Sequence, residues 1–148
     1  MPGKSIPQRA QTKKRILIVD DHPLVRRGLT ALIDNEPDLA VCAEAATLQA
    51  GFAAFASFKP DLVITDLSLM DDDGLDLVKD IRLRNEHLPV LVLSIHDTPF
   101  YIERAFQAGA NGYVPKQEMS ETLLIAIHQV LDSQTFMSAT TKAKLART

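Results

Sequence analysis

Tryptophan is absent from the 148 residues, cysteine occurs once and tyrosine twice. One thiol, Cys42 in LAVCAEA, makes neither an internal disulfide nor a cysteine-rich zinc site, and its apolar neighbours predict a buried thiol. Six Gly and eight Pro are too few for a low-complexity or collagen-like polymer. No apolar run approaches the roughly 20 residues of a membrane span, so a membrane protein is excluded. The opening MPGKSIPQRAQTKK lacks the apolar stretch of a secretory signal, which makes an intracellular, cytoplasmic protein the expectation. GxGxxG and GxxxxGK followed by Ser or Thr are missing too, removing the main support for dinucleotide and P-loop readings. A calcium loop over MDDDG fails because its first position falls on Leu69 and its twelfth on Asp80. His22, His87, His96 and His128 have no metal-site spacing with one another or with Cys42.

What is present fits one ordinary domain with enough length to bury a core: 46% of the residues are hydrophobic and 24% charged. Charge is unevenly spread. Residues 1–15 carry five basic side chains and no acid, and residues 134–148 carry three and no acid. The body, residues 16–133, holds 8 basic against 19 acidic residues, a net charge of −11. Such a body does not read as a nucleic-acid surface.

Strand and helix patterns alternate five times. The apolar runs RILIV (15–19), Leu39–Ala43, DLVIT (61–65), PVLVL (89–93) and Gly112–Val114 read as strands, the longest of them buried on both faces. Between them, Pro23 opens a helix whose stripe is Leu24, Val25, Gly28, Leu29, Leu32 and Ile33, and further helices are predicted over 48–58, through Leu75, Leu77, Val78 and Ile81, and through Tyr101, Ile102, Ala105 and Phe106 to a cap at Gly109. A last helix is predicted from about Ser120, its N-cap, to Leu131. Short connections between alternating elements imply a doubly wound α/β domain: a five-stranded parallel sheet covered by five helices. The expected layout is a basic extension (1–14), the domain (15–133) and a C-terminal linker or tail (134–148).

Function in open parallel sheets gathers at the carboxyl ends of the strands. Strand one ends in Asp20 and Asp21, strand three in Asp66 and strand four in Ser94, while Lys116 follows strand five. Taken singly, each is more readily a cap, a turn residue or a solvated charge. All five at one edge is harder to dismiss. Where strands one and three are neighbours, three carboxylates converge, and at about 5 Å each pair repels by about 3 kcal/mol at an effective dielectric of 20. Such a cluster needs protons or a cation. A few hard oxygen ligands suit Mg2+ in company with a phosphate, and Lys116 and the Ser94 hydroxyl are placed to hold phosphoryl oxygens. Tyr113, His22 and His96 read by default as a half-buried strand aromatic and as loop or helix-start polar residues. Asp71, Asp72 and Asp73 read as a solvated loop, with Gly74 permitting the turn into a helix.

The stretches ILIVDDHPLVRRGL, DLVITDLSLMDDDGLDL, PVLVLSIHD and GANGYVPK resemble the receiver domains of two-component response regulators over about residues 15–133. DDHPLVRRGL and LSIHD with GANGYVPK look most like the LuxR-type (NarL/FixJ) subfamily, whose members usually end in a helix-turn-helix DNA-binding domain. The resemblance implies a flavodoxin-like strand order 2-1-3-4-5, with Asp66 as phosphoryl acceptor. It implies Mg2+ held by Asp21, Asp66 and the Ser68 backbone carbonyl, with Asp20 acting through a metal-bound water. Ser94 and Lys116 would contact the phosphoryl group, and Tyr113 would reorient with Ser94. Met70 stands where many receivers have Pro, which should loosen that loop.

The expected function is therefore phosphoryl acceptance from a sensor histidine kinase or phosphotransfer protein, with self-directed transfer and hydrolysis but no external substrate. Homodimerisation on phosphorylation is part of that expectation. An aspartyl-nucleophile phosphatase is the rival, yet its general acid, an Asp two residues after the nucleophile, is Ser68 here. A stand-alone receiver is the other alternative. After Leu131 only 17 residues remain, too few for a helix-turn-helix domain, so this chain is expected to be a receiver from a longer regulator and not itself to recognise DNA.

Overall fold

The structure is a computed structural model and describes residues 12–70 and 72–147. Most of the expected basic extension, the acidic residue Asp71 and Thr148 lie outside the described residues. Six parallel strands form the central sheet: β1 (Lys14–Val19), β2 (Leu39–Ala45), β3 (Leu62–Asp66), β4 (Val90–Ser94), β5 (Gly112–Pro115) and β6 (Phe136–Met137). Their order is β2-β1-β3-β4-β5-β6, so the winding reverses between β1 and β3.

Six α-helices are present among the described residues: α1 (Pro23–Asp34), α2 (Leu48–Phe58), α3 (Leu75–Arg84), α4 (Pro99–Ala108), α5 (Met119–Leu131) and α6 (Ala139–Ala146). Strand side chains alternate between two cores, as a period of two requires. Leu17, Val19, Val63, Val90 and Val92 face Leu77, Val78, Ile81, Ile102 and Ala105 of α3 and α4. Ile16, Ile18, Leu62, Ile64, Leu91 and Leu93 face Leu29 and Ile33 of α1 and Leu123, Ile127 and Val130 of α5. Burying each such aliphatic side chain contributes about 1.5–3 kcal/mol, which fixes strand register and with it the residues at the strand ends.

Several expectations need correction. Five strands become six because Phe136–Met137 adds to the β5 edge, with Phe136 buried in one core and Met137 against the other; two residues are too few to show a period in the sequence. The same segment continues into α6, capped by the Ser138 hydroxyl, which accepts from the Thr141 amide. Ser120 is not a cap: a 3-10 turn over Lys116–Glu118 leads straight into α5, leaving Ser120 inside the helix. Leu24 is 78% exposed and outside the α1 core face, and Cys42 on edge strand β2 is only half-buried. Gly74 has an ordinary right-handed φ of −61°, so it is not there for a left-handed turn.

Candidate functional site

The reversal point collects the charges that the strand ends predict. Asp20 and Asp66 are 1% and 3% exposed, and Lys116 reaches between them: its Nζ lies 2.8 Å from Asp66 Oδ2 and 3.0 Å from Asp20 Oδ2. Burial raises the Asp66 carboxyl above its ordinary value, with Lys116 opposing. For Lys116 burial works to lower the ammonium, but its bonds to Asp66 and Asp20 outweigh that and hold it above the usual lysine range. The Ser68 amide donates to Asp66 Oδ1 at 3.2 Å. Ser68 itself is exposed and pairs with Asp73 in a short antiparallel ladder, Ser68–Leu69 with Asp72–Asp73, in place of the solvated loop expected there.

Two features of the backbone hold this arrangement. Gly74 starts α3 and donates to the Leu67 carbonyl; a Cβ on it would stand 1.8 Å from the Asp66 carbonyl oxygen, so its requirement is space beside the acidic residue. Met70 adopts a left-handed φ of 58°, and its amide donates to Asp21 Oδ2 at 2.9 Å. Proline has neither that φ nor that donor, and the loop expected to be loosened is tied to Asp21.

His22 belongs to the site and sequence reasoning missed it. Its Nδ1 lies 3.0 Å from both Asp20 Oδ1 and Asp21 Oδ1, and its amide donates to Asp20 Oδ1 at 2.8 Å. The available signal was its position directly after two aspartates and before the Pro23 that starts α1. A separate charged group, Glu36, Asp38 and His128, likewise forms only in three dimensions.

Ser94 and Tyr113 form an adjoining set. Ser94 is fully buried and its hydroxyl accepts from the His96 amide at 2.9 Å, while the Tyr113 hydroxyl donates to the His96 carbonyl. Burial pushes the Tyr113 phenol up to about 12. His96 in turn stacks on Tyr101 with ring centroids 4.2 Å apart.

The donor set fits a small hard cation. Asp20, Asp21 and Asp66 have one ammonium among them, Lys116, which lies 3.0 Å from Asp20 Oδ2, while the His22 Nδ1 lies 3.0 Å from Asp21 Oδ1, so the nearby ligands are carboxylate oxygens and one imidazole. Clustered carboxylates in excess of their ammonium partners are groups a metal ion neutralises.

A flavodoxin-like sheet with an acidic pocket and a lysine at its reversal point defines a receiver fold. The chain belongs to the response regulator receiver domain family, whose model matches residues 16–128. Among curated proteins it is 31% identical over 132 residues to the nitrate/nitrite response regulator protein homolog of Haemophilus influenzae, covering 89% of this chain and 64% of that one. It is 32% identical to the nitrate/nitrite response regulator protein NarL of Escherichia coli K12, covering 86% and 59%. The chain thus spans less than two thirds of these relatives' length. Among solved structures, a LuxR-family two-component response regulator from Aurantimonas sp. SI85-9A1 superimposes with a TM-score of 0.87 at 34% identity, covering 92% of this chain and 97% of that one. The receiver domain is accordingly of the LuxR-type response regulators, as the sequence motifs imply. No helix among the described residues is long and apolar enough to cross a membrane.

Proposed function

We propose that Asp66 accepts a phosphoryl group from a phosphohistidine of a sensor kinase or phosphotransfer protein, and that the acylphosphate switches the output of a longer transcription regulator. The observation that carries this reading is a buried, lysine-bonded Asp66 clustered with Asp20 and Asp21, three carboxylates against the single ammonium of Lys116. In the transfer an Asp66 oxygen bonds to phosphorus as the P–N bond breaks, and the imidazole nitrogen keeps the electron pair. Lys116 holds one side of the phosphoryl group and Ser94 donates to another oxygen, stabilising charge already present with no substrate of the domain's own. Asp20, Asp21, Asp66 and the Ser68 carbonyl would hold Mg2+, which would neutralise charge on the phosphoryl oxygens. Tyr113 moves with Ser94.

In this reading the receiver unit occupies 15–133, residues 1–14 are a basic extension, and 134–148, which add β6 and α6 to the packed fold, lead toward an output domain. It works in the cytoplasm, dimerises on phosphorylation and leaves sequence-specific DNA recognition to the rest of the regulator, since its body carries −11. The test is intact-mass spectrometry with a small phosphodonor. One phosphoryl group is expected with Mg2+ and none in Asp66→Asn. Stable phosphorylation of that variant, or full labelling in excess chelator, overturns the assignment.

A further inference from the structure

The C-terminal helix touches the two loops on which Ser94 and Lys116 depend. Asp97 lies three residues after Ser94 in the β4–α4 loop, and Lys144 Nζ donates to its Oδ2 at 2.8 Å. Glu118 lies two residues after Lys116 in the 3-10 turn, and the Thr140 hydroxyl bonds its Oε2. Thr141 between these ties is 1% exposed, and Met137 and Leu145 pack against the core that contains Tyr113. The Lys144 ammonium also holds the Asp97 carboxyl below its usual value. One short helix therefore spans the gap between the loops of two neighbouring strands, fastened on each by a different acidic residue.

We infer that α6 is a latch, with Lys144 and Thr140 as positioning residues that hold the Ser94 and Lys116 loops in the arrangement described above. The inference rests on the phosphoryl-acceptor reading of Asp66. In the present geometry the Ser94 hydroxyl accepts from His96 and Lys116 is shared by Asp66 and Asp20. To grip a phosphoryl group, both must shift, and their loops can shift only against the ties to α6. Phosphoryl binding and α6 docking then oppose one another, and linkage makes the effect reciprocal: whatever factor loss of the latch adds to phosphoryl affinity, phosphoryl binding adds to release of α6. A segment that leads onward to the rest of a regulator would thereby sense the site through two side-chain contacts.

The test uses the full 148-residue chain and beryllofluoride with Mg2+, followed by NMR titration. Lys144→Ala with Thr140→Val is expected to bind beryllofluoride about two- to fivefold more tightly, the range set by exposed ion pairs, whereas Lys144→Arg keeps the wild-type affinity. In the wild type, saturating beryllofluoride is expected to speed amide exchange across Ala139–Ala146. Unchanged or weaker affinity in the double variant with an unaltered melting temperature, or unchanged α6 exchange at saturation, overturns the latch alone. Failure of the wild type to take up beryllofluoride, or equal uptake by Asp66→Asn, overturns the acceptor reading and the latch with it.

Discussion

The acidic pocket and the α4–β5–α6 side of the domain are held by different means. Asp20, Asp66 and Lys116 stand on strand ends whose preceding residues are fully buried, and Lys116 is only 10% exposed where it meets its partners. On the α6 side, the Lys144–Asp97 pair is about one third exposed at both partners. Breaking a buried pair typically costs about 3–5 kcal/mol, an exposed one about 0–1 kcal/mol. The Asp20–Asp66–Lys116 group is thus fixed by the core, while α6 is fastened by contacts that yield easily.

The largest effect expected is that of Lys116→Met, which leaves Asp20 and Asp66 buried without their cation. Urea unfolding in chelator should show a loss of about 3–5 kcal/mol, and Mg2+ should restore more stability to the variant than it adds to the wild type. A variant as stable as the wild type without metal would erase the contrast between the two regions. Next comes Gly74→Ala, whose added methyl collides with the Asp66 carbonyl; a loss of about 1–3 kcal/mol is expected, together with slower phosphorylation and weaker Mg2+ binding.

Tyr113→Phe removes only the hydroxyl bond to His96, for about 1 kcal/mol, and hydrogen exchange at residues 95–98 should rise selectively. In the wild type, phosphorylation should alter exchange on α4, β5 and the start of α5; silence there despite modification at Asp66 would mean that the partner reads the phosphate directly.

The smallest effect lies far from both regions. His128 Nε2 meets Asp38 Oδ2 at 2.9 Å and Nδ1 meets the Leu124 carbonyl at 2.9 Å, so both ring nitrogens face oxygen acceptors. Burial works to lower the imidazole, yet those two bonds, with Glu36 nearby, raise it overall. A raised folded value means the stabilisation is fully present below the ordinary imidazole value and is lost as pH rises through the folded one. The melting-temperature gap between wild type and His128→Gln should therefore narrow as pH climbs past neutrality.

Much of this was legible in the sequence because strands buried on both faces are written as continuous apolar runs. RILIV, DLVIT and PVLVL announce themselves, and the residue that ends each run necessarily stands at the functional edge. The amphipathic helices were legible for a similar reason, although Leu24 lies off the face that Val25, Leu29 and Ile33 turn to the core. The rest depended on contacts between distant segments. His22 joins the carboxylates through the turn into α1, Gly74 is required by a carbonyl eight residues earlier, and β6 exists only because β5 offers an edge. Cys42 looked buried in its apolar context, but β2 is the other edge of the sheet and leaves the thiol half-covered.

The network around His96 has an optical consequence. The chain has no tryptophan, and its two tyrosines are Tyr101, stacked on the His96 ring, and Tyr113, bonded to the His96 carbonyl. Every phenol that absorbs in the near ultraviolet therefore touches a single residue two positions beyond Ser94. Near-ultraviolet circular dichroism and tyrosine emission of the unlabelled protein report on the loop that holds His96, so any movement there is read by chromophores the chain already carries.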